Sequence, residues 1–121
     1  MTTQSNKVKR IFCEFRNINN SIKYIDKILN SIETYMYYDI NMCLEHFTKF
    51  LLKKDKLILK HRKIVKILSK MNVKHKDFLI YYYYRRLKSN VIIQLLGISE
   101  RTFYRYKTAS EREFLKYYEN Y

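Results

Sequence analysis

The decapeptide SERTFYRYKT, Ser99 to Thr108, places Arg101 and Arg105 four residues apart, with Thr102 and Tyr104 between them. A guanidinium offers paired donors that match the guanine edge in the major groove. Thr and Tyr offer hydroxyls to phosphate, and Thr a methyl to thymine. On a helix, residues three or four apart share a face. Phe103 and Tyr106 then share an inner face, and Arg101, Thr102, Tyr104, Arg105 and Thr108 look outward. Base reading is assigned to Arg101, Thr102, Tyr104 and Arg105, and phosphate contact to Ser99 and Lys107.

Such a face needs a helix that starts at a fixed place. Gly97 is the one glycine of the 121-residue chain, which has no proline. It follows the short apolar run VIIQLL, which Ser89 or Asn90 can cap, and it supplies the left-handed residue of a sharp turn. Ser99 then caps the next helix from Glu100. This is a helix-turn-helix pattern, with Ile92, Leu96, Ile98, Phe103 and Tyr106 as its expected core. A helical pair that only packs needs the same apolar positions. It gives no reason for a basic, hydroxyl-bearing outer face at the N-terminal end of the second helix.

The stretch KDFLIYYYYRRLKSNVIIQLLGISERTFYRYKTASEREF resembles the C-terminal helix-turn-helix of sigma-factor-like regulators. It is most similar to the ArpU/RinA-type phage late-gene regulators, and more distantly to the fourth conserved region of sigma factors. The shared marks are an aromatic-rich helix, a short helix ending LLGIS, then ERTFYRYK and a trailing helix, over about residues 72–119. One departure is Ile93, where the family usually has a small residue. The resemblance implies a small transcription regulator, phage or mobile-element borne, acting at promoter DNA. It implies that Ser99, Arg101, Thr102, Tyr104 and Arg105 face the duplex.

The tyrosines Tyr81 to Tyr84 look like a base-stacking platform, yet helical residues turn by about 100° each and four in a row cannot lie flat together. One or two are expected in the core and the rest at wet edges. Arg85, Arg86 and Lys88 follow and are assigned to phosphate. So is a basic face at Lys56, Lys60 and Lys63, within a stretch, Lys53 to Lys76, of ten Lys or Arg and one acidic residue.

Upstream, Ile11, Phe15, Ile18, Ile22, Ile25, Leu29, Ile32 and Met36 recur at alternating spacings of four and three. That is a heptad seam of a long helix, unless Asn20 or Ser21 opens a new one there. The seam packs on later helices, which is favoured, or on a second copy in a homodimer. Asp39 is expected to cap a second helix with Ile40, Leu44, Phe47 and Phe50 or Leu51 inward. Asp55 is expected to cap a third, with Leu57, Ile64, Leu68 and Met71 on one stripe, and Asn72 a fourth, running to about Leu87.

A formal net charge of +14 favours polyanions. Cys13 and Cys43 stand alone, as in a reducing cytosol. The start MTTQSNKVKR lacks a signal peptide's apolar run, and no stretch of about 18 apolar residues suggests a membrane span. His46, His61 and His75 are scattered, His61 on an apolar stripe as a structural histidine. No catalytic, metal or cofactor motif emerges, so an enzyme is not expected.

The expected protein is all-α, with five or six helices. An N-terminal helical bundle or coiled segment (1–71) precedes a C-terminal helix-turn-helix (72–121). Its expected partners are double-stranded DNA and RNA polymerase, in the cytoplasm at the nucleoid. The alternatives are an RNA-binding helical protein and a protein-interaction module docking on the polymerase.

Overall fold

The computed structural model describes residues 3–35 and 40–120, the side chains of Tyr35 and Met42 excepted. Five α-helices follow one another, with no strand among the described residues: α1 (Thr3–Tyr35), α2 (Ile40–Lys70), α3 (Val73–Leu79), α4 (Ser89–Leu96) and α5 (Glu100–Glu119). A π-helical turn, Ile80–Tyr84, continues α3. The helices gather into two compact units, residues 16–62 and residues 1–15 with 63–121. The first turns of α1 belong with the C-terminal helices, Phe12 packing on Phe114.

α1 is one helix of 33 residues. Asn20 and Ser21 lie inside it and open nothing. Asn is a weak helix former, but burial of neighbouring apolar residues outweighs that preference. Ile11, Phe15, Ile18, Ile25 and Leu29 of the seam are buried within the chain, Ile22 and Ile32 are half-buried, and Met36 lies outside the described residues.

α2 is likewise continuous. Asp55, expected to begin a helix, is an exposed residue within it, since nothing around it breaks the backbone pattern. Asp39, the other expected cap, lies outside the described residues. In the unit 16–62, α2 runs antiparallel to α1, with Lys54 Nζ 2.7 Å from Asp26 Oδ1. The inward set of α2 differs from the expected one. Phe47 and Phe50 are half-buried, while Ile40, Leu44 and Leu51 are exposed. Contact with one partner helix covers only one stripe of α2, and these three stand off it.

The other unit has an aromatic core. Phe12 of α1 lies 5.1 Å from Phe114 and 5.7 Å from Tyr83, ring centre to ring centre. Phe78 of α3 lies 5.2 Å from Phe103 of α5. Asn72 caps α3 as its type predicts: its side chain accepts from the Lys74 N–H, and its own N–H donates to Glu113 Oε1 at 2.8 Å. His75 Nδ1 sits 3.3 Å from the other Glu113 oxygen, tying α3 to α5. Ile64, Leu68 and Met71 of the expected third stripe are buried and Leu57 is half-buried.

The helix from Asn72 does not reach Leu87 in α form. Bonding of the Arg85 N–H to the Ile80 carbonyl at 2.7 Å widens the last turn. Neighbouring tyrosines thereby serve different contacts. Tyr82 packs on Phe78 and Phe103, and Tyr83 is buried against Phe12. Tyr81 is half-buried and Tyr84 exposed, so the four form no common platform.

Candidate nucleic-acid interface

Local chemistry fixes the α4–α5 connection. Gly97 ends α4 in the left-handed region, at φ 62 and ψ 41, and its N–H points to the Gln94 and Ile93 carbonyls. The Ile98 N–H donates to the Ile93 carbonyl at 3.2 Å, satisfying a carbonyl that the helix end leaves open. Ser99 is extended, and its Oγ accepts from the Thr102 N–H at 3.1 Å. The Phe103 N–H already bonds the Ser99 carbonyl at 2.9 Å, so α5 begins where the cap predicts. At the start of α4, Lys88 is the cap residue, and Asn90 Oδ1 accepts from the Val91 N–H.

The inner side of this pair is apolar. Ile92 and Phe103 are buried, and Leu96, Ile98, Tyr106 and Ile93 are half-buried. The outer side of the first two turns of α5 holds Arg101, Tyr104 and Arg105, all exposed, with Tyr104 at 59%. Neither arginine has an ion-pair partner among the described residues. Thr102 is different. It is half-buried and its hydroxyl lies 2.9 Å from Ser99 Oγ, so both hydroxyls are engaged in the cap.

Lys107 does not join the outer face. Its ammonium donates to Ser5 Oγ and to Glu111 Oε1, each at 2.9 Å. Ser5 Oγ stands 2.9 and 2.8 Å from the two Glu111 oxygens. Glu111 is 1% exposed, and Ser5 and Lys107 supply its oxygens with hydrogen bonds that solvent does not reach. The Tyr83 hydroxyl also bonds Ser5 and Glu111. Burial, then the Glu111 carboxylate, hold its phenol well above the ordinary value and keep it neutral. Sequence reasoning missed this cluster. The spacing of Lys107 and Glu111 was visible, but Ser5 is 102 residues from Lys107.

The remaining cations divide. Arg85, Arg86 and Lys88 are exposed on the segment leading to α4, Arg85 with its guanidinium 5.8 Å from the Tyr81 ring centre. Arg86 adopts a left-handed backbone, φ 56. Lys56 and Lys60 are exposed on the unit 16–62. Lys63 is half-buried, its amine 3.9 Å above the Tyr118 ring, in cation–π contact. Among the described residues no three of His, Cys, Asp or Glu converge as a metal site, and no helix is long and apolar enough to cross a membrane.

Comparison with protein-family models, curated proteins and solved structures found no match to the chain.

Proposed function

We propose that the chain binds double-stranded DNA sequence-selectively and regulates transcription, with α4, the Gly97 turn and α5 as a helix-turn-helix and α5 as the recognition helix. The observation that carries this is the exposed Arg101–Tyr104–Arg105 face at the start of α5, while the opposite side of that helix is held by α3 and α1. Free guanidinium groups at a recognition helix's N-terminal end suit base edges. The net charge of +14 supports the same reading, as does the likeness to sigma-factor-like, phage-borne regulators. Arg101, Tyr104 and Arg105 are the base readers, with Thr102 held close to the cap. Arg85, Arg86 and Lys88 are the phosphate contacts on the same unit, and Lys107 belongs to the interior. The site of action is the nucleoid, in the cytoplasm.

The test is selection from a random duplex library, comparing the wild type with Arg101→Ala/Arg105→Ala. The wild type is expected to enrich a motif, and the double variant to lose it while keeping weak, salt-sensitive binding. Equal behaviour of the two proteins, or better competition by RNA at equal salt, sinks the reading.

A second reading has its own observation. Val91 and Leu95 stand one turn apart on α4 and are exposed, Leu95 at 55%. An apolar pair there suits docking on RNA polymerase or another regulator. Val91→Ser/Leu95→Ser would then abolish polymerase capture and leave motif selection unchanged.

A further inference from the structure

In the unit 16–62, α2 has only α1 to pack on, and the pairing leaves much apolar surface uncovered. Among the described side chains of residues 40–62 none is buried, although Ile40, Leu44, Phe47, Phe50, Leu51 and Leu57 all lie there. Ile40, Leu44, Phe47 and Leu51 follow one another at spacings of four, three and four, so they share one face of the helix. On that face Ile40 is 58% exposed, Leu44 45% and Leu51 40%, and Leu52, 58% exposed, widens it. Large apolar side chains contiguous over three turns mark an interaction surface.

Charge decides what covers it. The chain carries +14, yet residues 21–52 hold three lysines against four acidic residues. The exposed apolar face falls within a long stretch without the basic excess, which resumes at Lys53, Lys54 and Lys56. Elsewhere two copies of so basic a protein repel each other, whereas here they can approach. An acidic partner would be drawn to the lysine-rich stretches, not to this neutral one. A rotationally symmetric pair of chains sets the same patch against itself, and an apolar helix face without net charge is self-complementary in that sense.

We propose that this face of α2, centred on Leu44 and Leu51, is the contact of a homodimer between two copies of the chain. It differs from a dimer through the α1 seam, whose residues from Ile11 to Ile32 are buried or half-buried within the chain. It is independent of whether the protein binds DNA.

The experiment is sedimentation equilibrium of the full chain, wild type and Leu44→Glu/Leu51→Glu, at low and high salt, with circular dichroism on each. The wild type is expected at twice the 15.1 kDa chain mass, its association unchanged or strengthened by salt, which screens the remaining repulsion. The double variant is expected to keep its helical spectrum and to dimerise at least about thirtyfold more weakly. If the charged variant loses its fold, Leu44→Ser/Leu51→Ser takes its place with the same expectation. A monomeric wild type overturns the proposal and leaves the face to a different chain. A dimer that survives the folded variant, or that dissociates with rising salt, overturns it as well.

Discussion

Arg86 is a non-glycine residue in the left-handed region, at φ 56, just after the π-helical turn. That backbone costs an L-residue roughly 1–2 kcal/mol. Its side chain is exposed, so packing does not explain why a β-carbon is kept there. The phosphate contact proposed for Arg86 would give a reason. Arg86→Gly is expected to hold or raise stability by up to about 1 kcal/mol, because it removes strain while loosening the unfolded chain. The same change should weaken duplex binding and flatten its salt dependence by about 0.9 in the log–log slope. Thermal melts and salt-dependent titrations check both. A clear fall in melting temperature would mean that the side chain serves the fold.

At the scale of elements, the cluster of Ser5, Tyr83, Lys107 and Glu111 joins α1, the π-helical turn and α5. α5 thus has two sides with separate duties, one locking it to α1 and one facing solvent with Arg101 and Arg105. Removing one member of a buried pair leaves an uncompensated charge, at a cost of about 3 kcal/mol or more. Lys107→Met should therefore lower stability by about that amount, since it strands the Glu111 carboxylate, whereas Arg101→Ala/Arg105→Ala should leave the melting temperature unchanged. Chemical denaturation of the two variants side by side distinguishes these roles. A Lys107→Met protein as stable as the wild type would remove Lys107 from the interior set.

Across the whole molecule, basic residues are unevenly placed. Lys56 and Lys60 belong to the unit 16–62, while the proposed reading helix belongs to the other. If both units engage one duplex, Lys56→Ala/Lys60→Ala should reduce the salt slope by about 2 and weaken all sequences alike. The selected motif should not change. An unaltered slope would confine the contact surface to the unit that holds α4 and α5.

The features legible in the sequence are those that local chemistry decides. The near absence of glycine and proline excludes turn-rich β folds, and all described elements are helical. Asn72, Gly97 and Ser99 mark helix boundaries because a cap or a left-handed turn depends on the residue and its immediate neighbours. Asp55 shows the limit of such signals: a cap residue can start a helix only where the preceding turns do not continue one, and here they do. Partner choice is not local. Lys107 has the type and position of a phosphate contact, and only folding brings Ser5 and buried Glu111 to its amine. The apolar positions of α2 likewise give a period but no direction. Tertiary packing on α1 decided which stripe is covered and left Leu44 and Leu51 facing out, because a single partner helix can bury only one side.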